Sequence, residues 1–237
     1  MIEDVTAGGV YWNEAKRLPA LLTILKAAFS HVVVVIQDST DDSYKIACQW
    51  LDRPGDHIRT DAHRGAGDPS IPIMVQTVET PWTFIISGDE QPSVALLESI
   101  PEAVAQADRD GLDGWWLKFR STIDGYDFTS EQDNHLRLFR TRVGWPHSTL
   151  HSRPMTENTG FWPTGWIDHD RSLDEMIRDY LRYMEIGRES AQWVAHNQRM
   201  IHDACERVAE RAGWRHVTSH PWWPEVRAIA FGGKDPQ

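Results

Sequence analysis

Two carboxylates follow an apolar run in the first half of the chain. The run at 82–86 is rich in aromatic and β-branched residues, and Ser87, Gly88, Asp89 and Glu90 come directly after it. A continuous apolar run of this kind is typical of a buried central strand. Ligands of open α/β sheets bind beyond the carboxyl ends of strands, so we expect Asp89 and Glu90 at a binding site. A strand followed by a solvated acidic turn is the other interpretation of this stretch.

Polar residues also follow the other predicted strands of this region. The full set comprises Trp12, Asn13, Glu14, Asp38, Arg64, Asp89 and Glu90. Carboxylates from separate strands that meet at one sheet edge suit a divalent cation bridging a diphosphate. Mg²⁺ and Mn²⁺ prefer few protein oxygens together with phosphate oxygens, so one or two carboxylates suffice. Asp38 could instead accept a hydrogen bond from a base or a ribose. The alternative to a binding site is that all of these residues are simply polar ends of strands.

The elements that would position these residues alternate between strand and helix. Strands are predicted at 4–12, 32–36, from Ile58 and at 82–87, and helices at 15–29, 43–51 and 70–79, with Asn13 as the first helix cap. This alternation predicts an α/β fold with a mostly parallel, Rossmann-like sheet flanked by helices. Neither a Gly-x-Gly-x-x-Gly fingerprint nor a P-loop Lys is present, which disfavours a dinucleotide enzyme or a kinase.

The remainder of the chain continues the pattern with one long irregular stretch. A helix is predicted at 93–107, strands at 114–119 and 135–140, helices from Ser172 to 186 and at 190–212, and a tail at 214–237 without long regular elements. The irregular stretch at 143–167 is long enough to suggest a functional loop. We expect a single domain over 1–237. Its parts would be a nucleotide-binding half at 1–92, an acceptor-side half at 93–170, and C-terminal helices and tail at 171–237.

Composition narrows the class of protein. The chain has 237 residues, 41% hydrophobic and 25% charged, which is typical of a globular protein. Its net charge of −11 disfavours bulk binding to nucleic acid, where phosphate contacts dominate. No apolar run reaches the length of about 18 residues that a membrane span needs, so stable membrane insertion is not expected. The acidic N-terminus lacks a signal peptide's features, and we expect a cytoplasmic protein with buried free thiols at Cys48 and Cys205.

The order of these motifs resembles that of the family 2 glycosyltransferases, which have the GT-A fold. The matching stretches are 11–14, 32–41, 82–90, 136–144 and 167–183. They resemble, in turn, that family's first-strand motif, its Asp-Ser-x-Ser-Thr-Asp segment, its Asp-x-Asp strand, its Arg-Leu-Phe-Arg segment, and its Ile-x-His motif with a helical Tyr. The resemblance covers roughly residues 6–186 and implies a GT-A sheet with a C-terminal helical extension.

The resemblance also implies a nucleotide-diphospho-sugar donor, with a UDP-sugar foremost. Asp38 would contact the uracil or the ribose, and Trp12 and Glu14 would line the nucleotide pocket. Arg64 lies where the family often has a basic residue that faces the nucleotide or phosphate.

A metal ion, Mn²⁺ or Mg²⁺, is implied by the same resemblance. Asp89 matches the second Asp of the Asp-x-Asp motif and would bind the metal. His169 stands at the family's His position and would approach the diphosphate or the metal, with a structural role as the alternative. Ser87 replaces the first Asp of the motif, which puts the metal affinity in question.

The base that would deprotonate the acceptor is not identified. His151 and Ser152 stand where related sequences commonly have His-Glu near the acceptor, and inverting transfer needs a carboxylate or comparable base. Glu157, Asp168 and Asp170 are the nearby candidates.

The leading hypothesis is a metal-dependent inverting glycosyltransferase. Trp145, Trp162 and Trp166 would shape the acceptor side. The acceptor is open among a glycan, a lipid-linked precursor, a protein and a modified nucleobase, and the donor sugar and oligomeric state are open too. The alternatives are a nucleotide-sugar-binding module that has lost catalysis, which Ser87 and Ser152 favour, and a nucleotidyltransferase, whose Gly-rich basic loop is missing.

Overall fold

The chain forms two compact units. The structure, a computed structural model, describes residues 1–129, 133–147 and 152–234. The first unit comprises Met1–Arg120 with Thr129–His169, and the second comprises Ser121–Phe128 with Asp170–Gln237. The expectation of a single domain over 1–237, with its three parts, stays a prediction.

A mixed sheet forms the centre of the first unit. The strands of the described chain are β1 (Ile2–Tyr11), β2 (Phe29–Gln37), β3 (His57–Asp61), β4 (Trp82–Ile85), β5 (Glu90–Pro92), β6 (Gly114–Ile123), β7 (Tyr126–Asp127), β8 (Asn134–Arg140), β9 (Thr159–Phe161) and β10 (Ile167–Arg171). In the order β3-β2-β1-β4-β8-β6, the first four strands are parallel and β8 is antiparallel to both neighbours. The predicted α/β class, with a mostly parallel sheet flanked by helices, is confirmed.

Helices connect the strands and form most of the second unit. They are α1 (Leu18–Ala28), α2 (Ser43–Trp50), α3 (Ile71–Thr77), α4 (Val94–Asp110), α5 (Leu173–Ile186), α6 (Ala191–Ala212), α7 (Trp214–Thr218) and α8 (Trp223–Ala230), with short 3-10 helices at Asp68–Ser70 and Thr141–Val143. The helices predicted in the first half are confirmed within a few residues, which is the usual uncertainty of helix ends.

The start of α1 differs from the prediction. The helix begins at Leu18 rather than 15, and Arg17 is its N-cap. Pro19 stands in the first turn, where a missing backbone N–H has no cost. Asn13 is therefore not the cap; it has a positive φ of 56° and belongs to a turn that precedes the helix.

Close backbone approach holds β1 in the middle of the sheet. A Cβ atom at Gly8 would lie 1.8 Å from the carbonyl oxygen of Val33, and one at Gly9 would lie 2.1 Å from that of Ile86. Any larger residue at these two positions would push β1 away from its neighbours. The glycines thus fix the strand that ends at the predicted site.

Four short strands, β5, β7, β9 and β10, were not predicted. β5 and β10 pair in antiparallel fashion, with Ile167 opposite Pro92, Asp168 opposite Gln91 and His169 opposite Glu90. Their sequences, Glu-Gln-Pro and Ile-Asp-His-Asp-Arg, lack the apolar alternation by which strands are recognised. The pairing brings β10 to the turn that follows β4.

The second unit contains α5 to α8 around its own core. The predicted capping box of α5 is confirmed, because Ser172 and Glu175 exchange side-chain and backbone hydrogen bonds. The core includes Leu173, Ile177, Ile201, Val208 and Trp223. Cys205 is buried there as predicted, and burial raises the pKa of its thiol to about 12, whereas the prediction of a buried thiol at Cys48 is wrong because Cys48 is exposed.

The tail at 214–237 was expected to lack long regular elements, and it contains the two short helices α7 and α8. No helix in the described part of the chain is long and apolar enough to cross a membrane. The cytoplasmic location stays a prediction.

Candidate functional site

The carboxyl ends of the four parallel strands gather the predicted nucleotide-site residues at one edge. β1 leads into Trp12 and Glu14, β2 into Asp38, β3 into the loop with Arg64, and β4 into the turn with Asp89. In an α/β sheet this edge is where ligands bind. Their topological placement therefore agrees with the expectation, and their individual roles stay predictions.

Hydrogen bonds join the turn after β1 to the loop after β2. The backbone N–H of Thr40 donates to Asn13 Oδ1 over 2.8 Å, and the N–H of Glu14 donates to Ser43 Oγ over 2.9 Å. Asn is one of the few residues that readily adopt the left-handed conformation found here. The Asn-Glu pair thus positions Trp12 and the Glu14 side chain rather than starting the helix.

Asp41 reinforces this junction. Its carboxylate accepts from the backbone N–H of Ala15 over 2.9 Å and from the hydroxyl of Ser43 over 2.6 Å. Partial burial tends to raise the pKa of Asp41, but these hydrogen bonds outweigh it and lower the pKa. Asp41 is therefore a structural carboxylate of the edge.

Trp12 and His63 form a stacked aromatic pair at the edge. Their ring centroids are 4.0 Å apart and their planes differ by 3°. The buried Gln37 donates from Nε2 to the Ala66 carbonyl over 2.9 Å and to Ser70 Oγ over 2.8 Å. Its Oε1 therefore faces His63 Nδ1 at 2.9 Å, so the network assigns the proton to Nδ1. Sequence reasoning missed both Gln37 and His63.

Asp61 holds Arg64 in place. Both terminal nitrogens of Arg64 donate to the Asp61 carboxylate, over 2.6 and 3.0 Å, and Ser70 Oγ donates to the same carboxylate over 2.7 Å. The Arg64 hydrogen bond is the main reason that the pKa of Asp61 is lowered. The pKa of Arg64 is raised, chiefly by Asp61 and to a lesser degree by Asp38. Arg64 is thus a fixed cation, half-exposed, beside the exposed Asp38.

The acidic pair after β4 divides into a structural and an accessible carboxylate. Glu90 is 5% exposed, accepts from the backbone N–H of Ser87 over 2.8 Å and pairs with Arg137. The side chain of Asp89 is 24% exposed. Glu90 therefore shapes the turn, and Asp89 is the more accessible carboxylate of the two.

Asp89 and His169 meet although they are 80 residues apart. His169 Nε2 lies 3.1 Å from Asp89 Oδ2, and Phe119 contacts the imidazole edge-on at 6.1 Å between centroids. Within residues 1–129, 133–147 and 152–234, no group of three or more His, Cys, Asp or Glu side chains could hold a metal ion. A carboxylate and an imidazole are suitable ligands for Mn²⁺, provided that substrate oxygens complete the coordination.

Glu14 lies against the same turn. A Cβ atom at Gly88 would be 2.5 Å from Glu14 Cδ, so the carboxyl group packs directly on the glycine. Next to it, the buried hydroxyl of Tyr11 donates to the Ile86 carbonyl over 3.2 Å. The pKa of Tyr11 is raised, first by burial and then by the charges of Glu90 and Glu14. Glu14 therefore connects the β1 end of the site with the Asp89 turn.

The predicted candidate bases have other partners. Asp168 accepts from Trp166 Nε1 at 3.1 Å to each oxygen, and it alternates along β10 with His169, so the two side chains point to opposite faces. Glu157 pairs with Arg153 over 2.7 Å and is 86% exposed. Within the second unit, Asp170 accepts from Thr122. Their catalytic roles stay predictions.

Ser152 is joined to a carboxylate that sequence reasoning missed. Its backbone N–H and its hydroxyl donate to Asp68 Oδ1 over 2.8 and 2.9 Å, and Trp145 Nε1 donates to its hydroxyl over 2.5 Å. His151 lies outside the described residues. Trp145 and Trp162 are buried, 8% and 6% exposed, so they cannot offer their faces to an acceptor, whereas Trp166 is partly exposed.

Comparison with known proteins supports the resemblance inferred from the motifs. The chain is 31% identical over 165 residues to the lipopolysaccharide core biosynthesis glycosyltransferase LpsC of Rhizobium meliloti (strain 1021). The match covers 65% of this chain and 59% of LpsC, so the chain spans less than two thirds of that relative's length. No protein-family model matches the sequence.

Solved structures share the fold at low identity. S. aureus TarS 1–349 in complex with UDP-GlcNAc has a TM-score of 0.55 and 13% identity, covering 97% of this chain and 82% of TarS. The same protein in complex with UDP has a TM-score of 0.55 and 14% identity, covering 95% and 78%. The resemblance of the chain to glycosyltransferases with the GT-A fold is thereby confirmed.

Proposed function

We propose that the chain is a glycosyltransferase whose donor is a nucleotide-diphospho-sugar, with a UDP-sugar as the leading choice. The observation that carries the proposal is the contact between Asp89 and His169 at the carboxyl end of β4. The similarity to LpsC and the fold shared with TarS, solved with UDP and UDP-GlcNAc, support it. The name of LpsC refers to lipopolysaccharide core, which makes a saccharide the leading acceptor class.

The nucleoside would bind at the ends of β1 and β2. The stacked rings of Trp12 and His63 offer an aromatic surface for a base, since base-on-aromatic stacking is favourable for every base. The exposed carboxylate of Asp38 would accept hydrogen bonds from the uracil or the ribose. The Gln37 network would keep His63 in one tautomer and orientation.

The diphosphate would bind between Arg64 and the Asp89 turn. Asp89 and His169 would hold a divalent cation, Mn²⁺ or Mg²⁺, together with phosphate oxygens. When bound, the cation would neutralise charge on the leaving diphosphate. Arg64, fixed by Asp61, would stabilise the same developing charge because its guanidinium is already oriented.

Transfer with inversion requires that a base takes the proton of the acceptor hydroxyl as that hydroxyl attacks the anomeric carbon. Asp168 lies on the face of β10 opposite to that of His169. Asp68 accepts hydrogen bonds from Ser152, which stands where the family that the chain resembles commonly has a Glu. We therefore add Asp68 to Asp168, Glu157 and Asp170 as a candidate base.

The alternative is a nucleotide-sugar-binding protein without transferase activity. The observation that favours it is that Asp168 and Glu157 are engaged with Trp166 and Arg153 while Ser87 supplies no carboxylate. Incubation with a panel of UDP-sugars and Mn²⁺, followed by measurement of UDP release, separates the two. Donor hydrolysis that Asp89→Ala abolishes supports the transferase. Donor binding without any UDP release supports the binding protein.

A further inference from the structure

The outer face of β6 carries polar and aromatic side chains in strict alternation. Trp115, Leu117 and Phe119 face the core and are 3%, 1% and 1% exposed. Between and after them, Trp116 is partly exposed, and Lys118 and Arg120 are exposed. At about 3.3 Å per residue, these three outward side chains extend over about 13 Å.

Aromatic rings extend this face on both sides. Phe161, opposite Trp116 on β9, is 67% exposed, and the two rings stack with centroids 6.3 Å apart. The guanidinium of Arg153 lies 5.9 Å from the centroid of Trp116, and that of Arg120 lies 4.7 Å from Trp166. We call Trp116, Lys118, Arg120, Arg153, Phe161 and Trp166 the cationic-aromatic strip; all six belong to the first unit.

The cations of the strip are available to an anionic ligand. Lys118 has no ion pair within the described residues. Arg120 is 3.7 Å from Asp168, with 53% and 48% of the side chains exposed, and Arg153 pairs with Glu157, 53% and 86% exposed. Exposed pairs of this kind contribute little, so a ligand carrying a negative charge can compete with them. Such a surface contrasts with the net charge of −11 of the whole chain.

We propose that the cationic-aromatic strip binds an anionic saccharide. Sugar rings pack their C–H faces on aromatic rings, and phosphate or carboxylate substituents bind Lys and Arg. A neutral sugar would use only the rings and a simple anion only the cations, whereas an anionic saccharide uses both. Saccharide binding through the strip does not depend on the proposed transferase function, and it is measured without the donor.

Isothermal titration calorimetry tests the proposal on the full chain with three probes: a heparin-derived hexasaccharide, neutral maltohexaose and tripolyphosphate. We expect the heparin hexasaccharide to bind most tightly. Lys118→Glu should weaken the binding of this hexasaccharide by about tenfold or more, because one charge-assisted contact is lost. Trp116→Ala should weaken it by roughly fivefold. The matched control is Tyr44→Ala with Lys45→Glu, an exposed aromatic and lysine on α2, which should change nothing.

Either of two results overturns the proposal. Maltohexaose or tripolyphosphate binding as tightly as the heparin hexasaccharide would mean that rings or charge alone suffice. Equal losses in the α2 control would mean that binding is non-specific. UDP binding, titrated in parallel, separates this proposal from the previous one: a chain that binds the hexasaccharide through the strip but not UDP contradicts the transferase function and leaves the strip intact.

Discussion

Trp12 and His63, which follow different strands, stack with their ring planes 3° apart and centroids at 4.0 Å. The pair is tied to the interior, because His63 Nδ1 is hydrogen-bonded to the buried Gln37. An exposed aromatic surface with a rigid foundation is suited to stacking a base. In the proposed site, the relationship would link the recognition of a nucleotide to the packing of the sheet edge.

Removal of either ring should weaken nucleotide binding. We expect Trp12→Ala and His63→Ala each to reduce the affinity for UDP by roughly tenfold, since stacking contributes about 1 to 3 kcal/mol per base. Tryptophan fluorescence titration of the His63 variant and calorimetry of both would measure the loss. Tyr44→Ala, another half-exposed aromatic, is the control and should bind UDP as the wild type does. Unchanged affinity in both variants would place the base elsewhere.

Gln37 should be important for both stability and binding. Gln37→Leu leaves the Ala66 carbonyl and His63 Nδ1 without their partner, and we expect a loss of about 1 to 3 kcal/mol in the free energy of unfolding. Urea denaturation measures the loss, and UDP titration of the folded variant should show weaker binding because His63 is no longer oriented. Full affinity in a destabilised variant would limit Gln37 to a structural role.

Ser87 should limit the affinity for the metal. Ser87→Asp places a second carboxylate two residues before Asp89, and we expect Mn²⁺ in the presence of UDP to bind roughly tenfold more tightly, because affinity rises with ligand charge. The backbone N–H of Ser87 still donates to Glu90, so the turn is retained. Ser87→Asn, which adds similar bulk without charge, is the control. Equal affinities in all three proteins would exclude position 87 from the metal site.

Acid should weaken the interaction between the Asp61 carboxylate and Arg64. The pKa of Asp61 is lowered, chiefly by Arg64, so its stabilising contribution is present above the unfolded pKa of about 3.9 and is lost as the pH falls through the folded value. We expect Asp61→Asn to be less stable than the wild type near neutral pH and the two to converge below about pH 4. Denaturant titrations at stepped pH measure this. A constant difference across the acid range would contradict the assignment.

The sequence predicted the elements whose apolar pattern is local. The valine run of β2 and the aromatic run of β4 are buried throughout, so their strands could be recognised without tertiary information. The Ser172 capping box was likewise a local signal and is present. β5, β10 and the two tail helices were missed because short polar strands and Pro-containing, Trp-rich segments lack a clear period.

The candidate site, too, could be predicted only where a residue follows an element with a local apolar pattern. Asp89 follows a recognisable strand, and its place at the sheet edge could be expected. Gln37, His63 and Asp68 could be recognised only from their contacts in the structure. Their respective partners are Ser70, Trp12 and Ser152, which lie far from them in the sequence or belong to no motif. A glutamine at the end of a valine-rich strand carries no signal of its role until the partner positions are known.

The most direct test of the account is calorimetric titration of UDP into the wild type and Asp89→Ala, each with Mn²⁺ and with EDTA. We expect the wild type to bind UDP with Mn²⁺ and to lose most of that affinity in EDTA. Asp89→Ala with Mn²⁺ should behave like the wild type in EDTA while keeping its thermal unfolding temperature. Asp52→Ala, an exposed aspartate paired with Lys26, is the control and should retain Mn²⁺-dependent binding. Binding of UDP by Asp89→Ala as tightly as by the wild type would exclude Asp89 from the nucleotide site, and no binding of UDP by the wild type would exclude a UDP-sugar as the donor.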